Sequence, residues 1–113
     1  MEITKDLVDE IIILRLKGNI LSGVDANKIH QMVHEGLEAD HRNFILDMQE
    51  VSLINSSGVG ILIGALTAAK NQNGGVKLAS VSEKVNHIFN MMHLDQVFSL
   101  YESIDDAKAS FGT

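Results

Sequence analysis

Apolar residues along this chain switch between short unbroken runs and a spacing of three to four. Glu2 to Leu7 reads as a weak first strand, and Ile11 to Leu16, rich in isoleucine and bounded by Gly18, as a strong second one. The short link Val8-Asp9-Glu10 predicts a hairpin between them. After a turn at Ser22-Gly23, Ala26, Ile29, Val33 and Leu37 recur at helical spacing. Phe44-Ile45-Leu46 is wholly apolar, as in a strand buried on both faces. A second helix follows Ser56-Ser57-Gly58, with Val59, Leu62, Ile63, Leu66 and Ala69 as its inner stripe, and ends before Asn73-Gly74-Gly75. Val76 to Ala79 predicts another strand. Ser80 and Glu83 have capping-box spacing ahead of a helix whose inner face is Val85, Phe89 and Met92. Val97 to Tyr101 reads as the last strand, and Ser103 caps a final helix with Ile104, Ala107 and Phe111 inside.

The order is β-β-α-β-α-β-α-β-α. Strand-helix-strand units with short links require parallel neighbours and right-handed crossovers, so the fold class is α/β with a mixed sheet. Without proline, internal repeat or linker-like stretch, residues 1–113 are expected to form one domain.

Composition narrows the chemistry. Nine basic residues against 15 acidic give a net charge of −6, which repels nucleic-acid backbones and anionic lipid. The absence of cysteine removes disulfides, thiolate zinc sites and cysteine nucleophiles. The start lacks the basic-then-apolar pattern of a signal peptide, and no apolar run approaches the roughly 20 residues that span a bilayer. A cytoplasmic protein that binds neither membrane nor nucleic acid is expected.

The informative stretch runs from Asp47 to Gly60, out of a buried strand, through a loop and into a helix N-terminus. Ser56 and Ser57 stand where backbone N–H groups lack partners and the positive end of the helix dipole points outward. A phosphate there fits with little disturbance of the fold, and adds about −1.5 to −2 charge to the surface. From local spacing alone, a serine simply capping the helix is the ordinary reading.

Val51-Ser52-Leu53-Ile54-Asn55-Ser56-Ser57-Gly58-Val59-Gly60, after an apolar strand, resembles the signature segment of bacterial anti-sigma factor antagonists, a branch of the STAS domains. Gly74-Gly75-Val76-Lys77-Leu78, Met91-Met92-His93-Leu94, Leu94-Asp95-Gln96-Val97-Phe98 and Ser103-Ile104-Asp105-Asp106-Ala107 extend the resemblance over nearly the whole chain. It implies a binding protein, not an enzyme, that acts in transcription regulation and signal transduction, as in stress responses. In that family the unphosphorylated form binds an anti-sigma factor that is also a serine kinase, and so frees sigma, and the resemblance implies the same here. In the family, phosphorylation of the first serine of the motif breaks that complex and a serine phosphatase restores it; carried to this chain, the expected acceptor is Ser56, with Ser57 second. Asn55 stands where the family usually has Asp, and Asn19-Ile20-Leu21-Ser22 lacks an acidic residue common there. Asp47, Asn55, Ser57 and Gly58 form the expected surroundings of the acceptor. Ser56, Ser57, Gly60, Gly64, Thr67 and Met91 form the expected partner surface, with the small residues equally able to mark tight packing within the domain. A transport-ATPase accessory subunit and a signalling scaffold are the competing STAS roles. A monomer without cofactor is expected.

Other constellations are weaker. His30 and His34, spaced i, i+4 and followed by His41, match metal-ligand spacing but equally a solvated helix flank. Asp47, at the C-terminal end of a strand, is expected to hold the Ser56 loop through backbone N–H groups. With Ser56 and His87 it makes a triad on paper, but no Gly-x-Ser-x-Gly elbow exists. Ala65 follows Gly64 where a phosphate-binding loop needs lysine, so no nucleotide site is predicted. Met92 is assigned to the inner stripe, and Met91 to the surface.

Overall fold

The computed structural model describes residues 1–21 and 23–111. Strands β1 (Glu2–Val8) and β2 (Ile11–Lys17) are followed by α1 (Gly23–Glu38), β3 (Asn43–Glu50), α2 (Ser56–Asn71), β4 (Gly75–Ala79), α3 (Glu83–Met91), a 3₁₀ turn (Leu94–Gln96), β5 (Ser99–Tyr101) and α4 (Ile104–Ala109). The sheet order is β1-β2-β3-β4-β5. Only the β1–β2 pair is antiparallel, so the sheet is mixed, as the pattern predicts.

Each parallel strand lies beside its predecessor, and right-handed crossovers advancing in one direction put α1, α2 and α3 on one face. Strand alternation sorts the side chains accordingly. Ile12, Leu14, Leu16, Phe44, Leu46, Met48, Val76 and Leu78 pack against those three helices. Their neighbours Ile11, Ile13, Ile45 and Ala79 meet α4 through Ala107 on the other face. The doubly buried Phe44-Ile45-Leu46 run is thus explained. On the α4 side, Lys77 donates to Ser110 Oγ at 2.7 Å and lies 4.0 Å from the Phe111 ring centroid, fastening the last helix to β4. Hydrogen bonding to Ser110, aided by the Lys77 charge and opposed by partial desolvation, lowers the Tyr101 phenol below its ordinary value.

Three boundaries differ from the sequence pattern. Ser82, not Ser80, caps α3, accepting from the Val85 N–H at 3.2 Å. Ser80 has φ 58° and instead donates to the Glu102 carbonyl at 3.3 Å, leaving the chain two residues to turn off the sheet. The last strand starts at Ser99, because Val97 and Phe98 close the 3₁₀ turn through N–H bonds to the Leu94 carbonyl. Phe98 is therefore turned inward and stacks on Phe89, with centroids 5.8 Å apart. Met92 is exposed at the end of α3, outside the inner stripe of Val85 and Phe89.

The hairpin turn is Asp9-Glu10, and both residues have positive φ, 50° and 66°. That conformation matches the strand twist but is unfavourable for residues with a Cβ. Asp9 is retained by Lys108, whose Nζ lies 3.3 Å away. Glu10→Gly is therefore expected to stabilise the fold by about 0.5–1 kcal/mol. A urea midpoint that does not rise would show that the turn carries no strain.

Candidate functional site

Strands β2 and β3 are parallel neighbours, so the loops leaving their C-terminal ends lie side by side. Backbone bonds zip them together. Gly18 N–H donates to the Glu50 carbonyl at 3.1 Å, Ile20 N–H to Leu53 at 2.9 Å, and Asn55 N–H to Ile20 at 3.2 Å. Two asparagine side chains complete the join. Asn19 Oδ1 accepts from the Ser52 N–H at 3.2 Å. Asn55 Oδ1 accepts from the Gly58 N–H at 3.0 Å, while its Nδ2 donates to the Leu21 carbonyl at 2.6 Å.

The last pair of bonds changes the reading of the serines. Asn55 is the N-cap of α2, with extended φ and ψ of −106° and 175°. Ser56 and Ser57 are thereby the first two helical residues, relieved of capping. Both are exposed, and among the described residues neither hydroxyl is taken up in a hydrogen bond. The first turn of α2 holds no acidic residue, so the dipole's positive end there is uncompensated. Asn55 also has to be an amide for what it does here. A carboxylate could accept from Gly58, but would set negative charge against the Leu21 carbonyl in place of a donor.

Gly58 is fixed by close approach. A Cβ there would stand 2.7 Å from Ile20 Cγ2 and 3.0 Å from the Ile20 carbonyl oxygen. Gly60, by contrast, has nothing within 4 Å of an added Cβ. Gly64 packs beside the His30 ring of α1, so that small residue serves helix packing inside the domain. Thr67 is exposed and returns its hydroxyl to the Ile63 carbonyl at 2.9 Å.

Asp47 is a correction. It does not reach the Ser56 loop. It points to the sheet face opposite α2, where its carboxylate accepts from the Gln49 N–H at 3.1 Å and faces Arg15 Nη1 at 3.5 Å. The cause is strand alternation, since Met48, not Asp47, faces the helices. Ser56 and Asp47 are therefore not assembled with His87 on α3. Met91 is also separated from the serines. Helix α3 starts at the same edge as Ser56 and runs away from it, so Met91, 68% exposed, lies about 12 Å along that helix. His34 pairs with Glu38 at 3.1 Å, and among the described residues no three His, Asp or Glu are grouped to hold a metal ion. No helix among them is long and apolar enough to cross a membrane. Sequence reasoning missed the loop-joining work of Asn19, Asn55 and Leu21, which involves partners more than 30 positions apart.

Comparison with known proteins agrees with this architecture. Residues 2–107 match the STAS domain family. A provisionally named anti-sigma factor antagonist of Thermotoga maritima is 26% identical over 89% of both chains. The crystal structure of such a protein from that organism superposes with a TM-score of 0.87 at 22% identity, covering 96% of this chain and 92% of the other. SpoIIAA of Bacillus, an anti-sigma factor antagonist solved in unphosphorylated and phosphorylated forms, superposes in the former with a TM-score of 0.74 at 17% identity, covering 99% of this chain and all of its own. The chain belongs to the STAS domain family, and curated relatives from Thermotoga maritima, provisionally, and Bacillus subtilis are named as anti-sigma factor antagonists.

Proposed function

We propose that the chain is an anti-sigma factor antagonist working by partner switching, as a single domain in the cytoplasm and without catalysis of its own. Its unphosphorylated form binds an anti-sigma factor with serine kinase activity and so releases sigma factor. Phosphorylation of Ser56 breaks the complex, and a serine phosphatase resets it. The observation that carries this reading is the cap: Asn55 takes the capping bonds, which leaves the Ser56 hydroxyl exposed at the first position of α2. A hydroxyl committed to a cap would have to give up that bond before modification. Solution of SpoIIAA in a phosphorylated form supports carrying the modification over to this chain.

The phosphate would sit on a surface that the kinase must cover. Burying an unpaired dianion there costs several kcal/mol, enough for a switch. Peptide mapping by mass spectrometry, on protein recovered from its native cells with bound proteins identified, is expected to find phosphate on Ser56 and a serine kinase alongside. For the recovered kinase, Ser56→Ala is expected to bind as wild type does, and Ser56→Asp at least about a hundredfold more weakly, about 2.7 kcal/mol. Equal affinity of wild type and Ser56→Asp would remove the switch. Recovery of a transport ATPase with Ser56 unmodified would move the chain to the accessory-subunit role.

A further inference from the structure

The end of the sheet away from Ser56, where β3, β4 and β5 begin, holds an open cavity of about 420 Å³, within the size range of sites for small organic ligands. Leu66, Val76, Val97 and Phe111 give it an apolar wall, and Val97 is 38% exposed. Lys70 and Lys77 line it as well, and no carboxylate does. In this chain of net charge −6, four other cavities each carry at least one carboxylate. Among the described residues neither lysine is ion-paired. Lys77 donates to the Ser110 hydroxyl at 2.7 Å and to the Ser110 carbonyl at 3.0 Å, with the Phe111 and Tyr101 ring centroids 4.0 and 5.5 Å away. These contacts fix the ammonium in place, and none of them is a carboxylate.

We propose that this cavity binds a small organic monoanion, a carboxylate on an aliphatic body. Lys77, held by Ser110, and Lys70 supply the charge that the carboxylate meets, and the apolar wall takes the body out of water. Neutral donors stand around them in Asn43, Asn73 and Ser99. The number of charges follows from the helices. Both α2 and α4 end beside the cavity, through Lys70 and Ser110, so their last carbonyls offset part of the positive charge of the two lysines. What remains matches one negative charge and not two, so a phosphate monoester is the poorer ligand. The site uses no residue of the Ser56 loop and stands whether or not the chain switches partners.

The test is a titration of the ¹⁵N-labelled full chain, followed by its amide resonances, with three probes that share one body: hexanoate, 1-hexanol and hexyl phosphate. Hexanoate is expected to shift the amides of Gly74, Gly75, Lys77 and Ser99 saturably, with 1-hexanol and hexyl phosphate each about fivefold weaker or more. Lys77→Met keeps an unbranched side chain beside the rings and is expected to weaken hexanoate about tenfold. Lys70→Met, on the exposed last turn of α2, is expected to weaken it about threefold and to leave the melting temperature unchanged. If Lys77→Met fails to fold, Lys70→Met and the three head groups decide. No saturable shift at these amides up to about 20 mM hexanoate overturns the proposal. So does binding of 1-hexanol or hexyl phosphate as tight as that of hexanoate, or hexanoate binding that neither lysine variant weakens.

Discussion

Gly74→Ala is expected to cost about 3 kcal/mol or more, a large part of the 5–15 kcal/mol that holds a domain of this kind together. Helix α2 closes through the Gln72 and Gly74 N–H groups, both bonded to the Ala69 carbonyl, and Asn73 turns the chain with φ 65°. The next residue, Gly75, starts β4 by donating to the Arg42 carbonyl at 2.9 Å. A Cβ on Gly74 would fall on that same carbonyl oxygen, with the carbonyl carbon at 2.8 Å and Arg42 Cα at 3.1 Å. All three atoms are backbone, so no rotamer change relieves the clash. Arg42 cannot retreat cheaply, because its guanidinium donates to the Leu37 and His41 carbonyls and it leads directly into β3. Relief therefore requires displacing the start of the β3–β4 pair. Gly60→Ala is the control: its Cβ meets open space in a helix interior and should stabilise by about 0.5–1 kcal/mol. Equal urea midpoints for the two variants would show that the α2–β4 turn is far more pliable than its geometry implies.

Phe89→Ala is expected to cost about 3–5 kcal/mol. The ring is fully buried and stacks on Phe98 at an interplanar angle of 18°. Helix α3 has nine residues, too few to persist by its own hydrogen bonds, and its buried anchors are Val85 and Phe89. Removing the ring leaves a cavity between α3 and the segment that leads into β5, where Leu94 and Phe98 are themselves buried. Calorimetry should show a matching fall in melting temperature, with Phe89→Leu recovering part of it. A loss below about 1 kcal/mol would mean that α3 contributes little to the fold.

The elements themselves were legible because their signal is local. Ala26, Ile29, Val33 and Leu37 repeat at a helix's own period, and Phe44-Ile45-Leu46 reports a strand covered on both sides. Short links between strands and helices then dictate parallel pairing whatever the details. The segment bearing Ser56 was legible in the same way, as an apolar strand leading to a helix start. Local patterns failed where two residue choices satisfy the same rule. Ser80 and Ser82 both precede α3, and only the turn of the chain off β5's partner decides that Ser82 is the cap.

Tertiary structure alone decided the arrangement around the serines. Strand parity sends Asp47 to the sheet face opposite α2, which spacing from Ser56 does not reveal. Asn55 acts on a carbonyl 34 positions earlier in the chain, and that contact exists only because β2 and β3 lie side by side. Sequence by itself determined the element order, the buried stripes, the position of Ser56 at a helix start and the lack of charge from 51 to 69. Folding determined which residue caps that helix, which hydroxyls stay free and which loop Asn55 is tied to. Periodicity is written into neighbouring residues, whereas hydrogen bonds between loops depend on the register of strands that distant residues fix.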